Sequence, residues 1–179
     1  MHKLKFTILQ LEILRFLCAN AGRSFNARRI AQHLEVSQTA IAKSLPLLEK
    51  EKFILIEKDK ESGRLAIELD KENKKVIEYK RAENLRVLYE SGIVDFLSEE
   101  FANSAIIVYG DYANGEDIFS SDIEIAIVKS SKSNPNLSKY EKELGKKIEL
   151  NSFSSFGKID SSLKNKILNG IVLHGEVSL

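Results

Sequence analysis

The chain has 179 residues, 43% of them hydrophobic, with 27 Lys and Arg against 26 Asp and Glu, two Pro, one Cys and no Trp. That balance excludes collagenous, disordered and disulfide-framework classes, and the length allows one large domain or two small ones. No apolar run nears the roughly 18 residues that cross a bilayer, and the start Met1-His2-Lys3-Leu4-Lys5-Phe6 leads into a charged helical pattern, so a cytoplasmic protein is expected.

Charge is uneven along the chain. Residues 1–70 carry net +3, 71–100 net −1, 101–130 net −4 and 131–179 net +3, which suggests two surfaces with different partners. The lone Cys18 sits among apolar helical neighbours and reads as a packed thiol, and His2, His33 and His174 have no metal-ligand spacing.

From Gln10 to Asn20, Leu11, Leu14, Leu17 and Cys18 recur at helical spacing, and Asn20-Ala21-Gly22 supplies a stop. Asn26 is placed to cap a second helix whose inward residues are Ala27, Ile30, Ala31 and Leu34, leaving Arg28, Arg29, Gln32 and His33 outside. Glu35-Val36-Ser37 is a turn, and Ser37 caps a third helix with Ala40 or Ile41, Leu45 and Leu48 inward and Gln38, Thr39, Lys43 and Ser44 outward. Pro46 removes a hydrogen bond from that helix, so a kink in its second half is expected. Phe53-Ile54-Leu55-Ile56 and Leu65-Ala66-Ile67-Glu68-Leu69 then read as strands joined through the charged loop Lys58–Arg64 into a hairpin.

On that run, residues 10–69 resemble the winged helix-turn-helix domains of prokaryotic transcription regulators. The resemblance implies that the helix from Ser37 enters the major groove of double-stranded DNA, with Gln38, Thr39, Lys43 and Ser44 near base edges and phosphates, while Arg64 on the wing reaches a minor groove. A winged helix that docks a protein or a second copy remains the alternative, because net +3 is low for a duplex binder unless a homodimer doubles it.

Residues 71–103 read as connecting helices. Val76, Tyr79, Ala82, Leu85 or Arg86, Leu88 and Tyr89 form one stripe interleaved with Lys74, Lys75, Lys80, Arg81, Glu83 and Glu90, and Ser91-Gly92 ends the run. The long helix either builds a dimer or covers the second domain. Ile93, Val94, Phe96, Leu97 and Phe101 give a shorter amphipathic stretch.

In residues 104–179, Ser104–Tyr109 is a buried-strand run ending at Gly110, and Ile123–Val128 is a second strand carrying Asp122 and Glu124. Carboxylates at i and i+2 of a strand share a face, where like charges about 4 Å apart repel by about 4 kcal/mol at an effective dielectric of about 20. A divalent cation relieves this, and Glu149 on a third strand candidate supplies a third hard oxygen ligand. Ser130–Asn136 reads as a loop, and Ser152–Ser155 as a turn.

The stretch Gly110-Asp111-Tyr112-Ala113-Asn114-Gly115 with Ser121-Asp122-Ile123-Glu124 resembles the minimal nucleotidyltransferase motif, and Leu163–Gly175 resembles that family's closing helix and strand. Together with the winged helix and Tyr79–Leu85, the chain is similar to a group of archaeal two-domain regulators, which implies an α+β protein. By this resemblance Asp122, Glu124 and Glu149 would hold magnesium and act in catalysis, and Gly110, Asp111, Asn114 and Gly115 would form the phosphate loop for a nucleoside triphosphate.

Two departures fall on that loop. Asp111 replaces the family's serine, and Asn114 its arginine; an acid about 4 Å from a phosphate costs about 4 kcal/mol, roughly a thousandfold in affinity. The expected function is therefore a DNA-binding regulator whose nucleotidyltransferase-like domain has impaired catalysis. The alternatives are an active magnesium-dependent nucleotidyltransferase, or an interaction protein resembling antitoxins that bind a small helical partner.

Overall fold

The computed structural model describes residues 6–58, 63, 65–130 and 135–177. The chain divides into two compact units, Met1–Ile77 and Glu78–Leu179.

Unit 1 opens with α1 (Ile8–Ala19), which starts earlier than the apolar stripe alone suggests because Thr7 and Gln10 form a reciprocal capping box. Helix α2 (Ala27–His33) is capped by Asn26, whose side chain accepts from the Arg29 N–H at 2.9 Å, and α3 (Gln38–Lys50) by Ser37, which accepts from the Ala40 N–H at 3.1 Å. The core is Ile13, Leu14, Leu17, Ile30, Ile41, Leu45 and Leu48. Of the two candidates, Ile41 is the inward residue.

Strands β1 (Ile54–Lys58) and β2 (Leu65–Leu69) pair antiparallel, Ile54 opposite Leu69. Phe25 adds a bridge to Ile67 through two backbone hydrogen bonds of 2.8 Å. Three helices, a hairpin and this bridging segment make unit 1 a winged helix. Helix α3 runs through Pro46 without interruption. Pro46 and Ala42, whose carbonyl loses its usual donor, are both exposed residues, on the side of α3 away from the core.

Ser44 corrects the expected outward face of α3. It is 8% exposed, its Oγ donates to the Ala40 carbonyl at 2.9 Å, and its own carbonyl accepts from Gln10 Nε2 at 3.1 Å. A serine that returns its hydroxyl to the i−4 carbonyl has no remaining need of water, so it ties α3 to α1.

Helix α4 (Lys74–Glu90) is long, as expected, and the unit boundary falls within it. Its stripe is displaced from the apolar pattern: Lys80, Glu83 and Asn84 are buried, while Ala82 is exposed and Tyr89 is 50% exposed. From Glu78 onward α4, with α5 (Ile93–Glu100), belongs to unit 2: Leu88, Ile93, Val94, Leu97 and Phe101 join its core.

Unit 2 is a four-stranded mixed sheet in the order β5-β4-β3-β6. Strand β3 (Ala105–Tyr109) lies between antiparallel β4 (Ile123–Val128) and antiparallel β6 (Ile171–His174), and β4 pairs parallel with β5 (Ile148–Phe153). Short α6 (Gly110–Asn114) follows β3, and α7 (Ser138–Leu144) and α8 (Ser161–Leu168) precede β5 and β6. Ile106, Val108, Ile123, Ile125 and Ile127 pack with Leu88, Leu97 and Tyr140 on one face; Ala105, Ile107, Tyr109 and Ala126 pack with Phe156, Ile159 and Ile167 on the other.

Candidate functional site

The acidic cleft of unit 2 is built by the end of β3, the start of β4 and α8. Alternation along β4 places Ile123, Ile125 and Ile127 on the α5 side and Glu124 on the α8 side. The register aligns Glu124 with Tyr109 on β3 and with Glu149 on β5, so the two glutamates are neighbours across parallel strands. Asp122 stands one residue before β4 and is exposed.

A cleft of about 390 Å³ is lined by Gly110, Asp111, Asn114, Glu124, Asn165, Lys166 and Asn169. It thus unites four sequence-selected residues, Gly110, Asp111, Asn114 and Glu124. Gly115 is not in the lining; it is buried and ends α6 in a left-handed conformation, φ +78°. Asp122 and Glu149 also lie outside the lining. Arg64 lies outside the described residues.

Gly110 is required for a geometric reason. Its φ is +72°, and a Cβ there would lie 1.9 Å from Glu124 Oε2. The Glu124 carboxylate therefore rests against the first residue of α6, where backbone N–H groups begin the turn that the resemblance assigns to phosphate. Burial pushes the Glu124 carboxyl above the ordinary carboxylate range; Lys166 opposes the shift, and Glu149, Asp111 and Asp122 reinforce it.

Asn151 links the edge of this group, donating to Tyr109 Oη at 3.1 Å and to Glu149 Oε1 at 3.2 Å. Burial raises the Tyr109 hydroxyl, with Glu124 and Glu149 adding to it. Among the described residues no three His, Cys, Asp or Glu side chains are grouped so as to hold a metal ion. Glu124 and Glu149 are neighbours across β4 and β5, and Asp122 stands one residue before β4.

Two groups were missed in the sequence. Asn165 and Lys166 near the end of α8 and Asn169 at its C-cap lie about one turn apart, and the signal was a cation on the closing helix. The other is a buried polar cluster. Lys80 forms an ion pair with Asp117, each side chain 1% exposed; Asn84 Nδ2 donates to the same carboxylate at 2.7 Å, and Lys146 Nζ stands 3.2 Å from its other oxygen. Lys146 also donates to the Ile118 and Ser121 carbonyls, at 2.5 and 3.1 Å, and so fixes the loop that leads to Asp122.

In unit 1, Gln38, Thr39 and Lys43 are exposed on the N-terminal half of α3. A cleft of about 360 Å³ is lined by Asn26, Ala27, Arg28, Gln38 and Leu65, so that α2, α3 and the first residue of β2 meet with no carboxylate among the described lining residues.

No protein-family model matches the chain, and no curated protein sequence matches it. Some solved structures are similar to it over part of the chain. A variant of ZitR from Lactococcus lactis is 18% identical with a TM-score of 0.42, the match covering 57% of this chain and 66% of that one, just under two thirds of its length. AdcR, the adhesin competence repressor from Streptococcus pyogenes, is 20% identical with a TM-score of 0.44, covering 57% and 71%. MepR from S. aureus, in a complex with DNA, is 21% identical with a TM-score of 0.40, covering 53% and 77%. Among the described residues no helix is long and apolar enough to cross a membrane.

Proposed function

We propose that the chain is a DNA-binding transcription regulator that reads double-stranded DNA as a homodimer through its winged helix. The observation that carries this reading is the exposed N-terminal half of α3, which presents Gln38, Thr39 and Lys43, with Gln38 meeting Arg28 of α2 in one cleft. A major groove about 12 Å wide admits one helix, Gln pairs with the adenine edge, and Lys and Arg neutralise phosphates. The 13 residues of α3 and its Ser37 cap supply a stiff element for that groove.

In this reading unit 2 is a nucleotidyltransferase-like module that senses a ligand or docks a protein rather than transferring nucleotides. Glu124 rests over Gly110 and Asp111 adds a like charge, so a triphosphate meets two carboxylates and Lys166 in the same cleft. Magnesium and a nucleoside triphosphate belong to the competing enzyme reading, which tight triphosphate binding by the unaltered chain would establish instead.

Fluorescence anisotropy with genomic duplex fragments at about 50 and 200 mM salt tests the DNA reading. Binding is expected to weaken steeply with salt, and Lys43→Ala with Arg28→Ala to reduce the log–log salt slope by about 2. No binding at low salt, or binding unaffected by the double substitution, overturns it.

A further inference from the structure

The cleft of unit 2 carries charges of both signs together with carboxamides: Asp111, Glu124 and Lys166, with Asn114, Asn165 and Asn169, line about 390 Å³. The charges are graded by depth. Asp111 and Lys166 are exposed, whereas Glu124 is half-buried. Burial raises the Glu124 carboxyl, Lys166 opposes the shift without reversing it, and Glu149, Asp111 and Asp122 add to it, so negative charge is in excess there. A second element points the same way. Asn165 and Lys166 belong to the last turn of α8 and Asn169 to its C-cap, and the carbonyl end of a helix carries partial negative charge. The Asn169 amide donates to the Asn165 carbonyl at 2.9 Å, which leaves the Asn169 side-chain oxygen as an acceptor.

Resting on the reading of unit 2 as a ligand-sensing module, we propose that this cleft binds a free amino acid with a cationic side chain, arginine in preference to lysine. Its volume lies in the range of small-molecule sites, about 300–1,000 Å³. Two carboxylates and one ammonium group call for a ligand with two positive groups and one negative, which is the charge pattern of a basic amino acid. The exposed Asp111 and Lys166 take its α-ammonium and α-carboxylate, and the half-buried Glu124 takes its side chain. A guanidinium suits that depth better than an ammonium group, because it is more weakly hydrated and meets a carboxylate in a bidentate fork. Its remaining N–H donors find the asparagine side-chain oxygens. A polyamine leaves Lys166 facing a cation, a neutral amino acid leaves one carboxylate without a counter-charge, and a triphosphate brings negative charge against both carboxylates.

Calorimetric titration of the full chain with arginine, lysine, citrulline, agmatine, N-acetylarginine amide and ATP tests the proposal. Arginine is expected to bind with a Kd of about 100 μM or tighter, and about tenfold or more tightly than lysine, than citrulline, which lacks the side-chain charge, or than agmatine, which lacks the carboxylate. Asp111→Asn, at an exposed position, weakens arginine about tenfold, and in Lys166→Ala arginine and agmatine bind within about twofold of each other, because the ligand carboxylate has lost its partner. Far-UV circular dichroism and thermal midpoints confirm that both variants fold. The proposal fails if lysine, citrulline or agmatine binds as tightly as arginine, or if Lys166→Ala leaves the preference for arginine over agmatine intact. It also fails if N-acetylarginine amide binds as tightly, which makes the ligand an arginine side chain of a protein. If neither arginine nor ATP binds at about 1 mM, the proposal fails alone and unit 2 keeps its protein-docking role; tight ATP binding instead overturns the reading of unit 2 on which the proposal rests.

Discussion

Replacing Asp117 by Ala removes a carboxylate that serves three donors at once: Lys80 Nζ, Asn84 Nδ2 at 2.7 Å and Lys146 Nζ at 3.2 Å. Lys80 is 1% and Lys146 7% exposed, so the substitution leaves two ammonium groups in a low-dielectric site without their shared counter-charge. Removing one partner of a buried pair costs about 3–5 kcal/mol, a large part of a typical total stability of about 5–15 kcal/mol. Lys80→Met is expected to cost less, about 1–3 kcal/mol, because Asn84 and Lys146 remain on Asp117 and the thioether fills most of the vacated volume. The pair Lys80→Met with Asp117→Leu recovers part of the Asp117→Ala loss, since neither charge is then stranded by the other. The assay is urea unfolding of the full chain followed by tyrosine fluorescence. There is no Trp, and the five tyrosines, Tyr79, Tyr89, Tyr109, Tyr112 and Tyr140, all belong to unit 2, so the signal reports that unit alone. A loss under about 1 kcal/mol for Asp117→Ala, or a larger loss for Lys80→Met than for Asp117→Ala, refutes the reasoning.

Two further predictions concern the acidic cleft. Because the native Glu124 carboxyl is raised, mainly by burial, the native state holds that proton to higher pH than the unfolded chain does. The resulting stability is fully present below the ordinary carboxylate range and is lost as pH rises through the raised value. Glu124→Gln should therefore stabilise by up to about 1 kcal/mol at pH 7, with the gain shrinking on acidification; urea midpoints showing a gain that is constant or larger at acid pH contradict this. Asp111→Ser with Asn114→Arg should raise ATP affinity about tenfold or more in calorimetry, by removing a negative and adding a positive charge beside Lys166, and Lys166→Ala should reverse most of the gain. A repaired variant that binds no better shows that Glu124 over Gly110 alone closes the anion subsite.

The winged helix was legible because its signals are local. Asn26 and Ser37 each cap the helix that follows, and each accepts the N–H three residues on. The hairpin was legible from a change of period. Ser44 was not, because a hydroxyl reads as an outward residue in any polar-apolar pattern, and only the i−4 carbonyl of Ala40 and the distant Gln10 satisfy it inside. The start of α1 was written in the Thr7-x-x-Gln10 spacing, which hydrophobic periodicity passes over. Likewise Lys80 and Glu83 read as the wet side of α4, yet a buried charge is defined by its partner, and Asp117 lies 37 residues downstream.

That same non-locality separates what the acidic motif revealed from what it hid. The i, i+2 spacing of Asp122 and Glu124 required only strand geometry, and Glu124 does occupy the α8 side of the sheet with Glu149 as its register partner. Whether a carboxylate there meets a ligand depends on what covers the α8 side, and the answer came from Gly110 and Lys166, residues on two other elements. The missing Cβ of Gly110 admits Glu124 to the head of α6, and Lys166 supplies the opposing charge in the cleft. On the reading proposed above, Asp111 and Asn114 would modify a site in which part of the anion subsite is already taken by the chain's own carboxylate. Substitution at the loop and seating of Glu124 act in the same direction, toward weaker triphosphate binding, and this agreement between a sequence departure and an independent contact favours the impaired-transferase reading of unit 2.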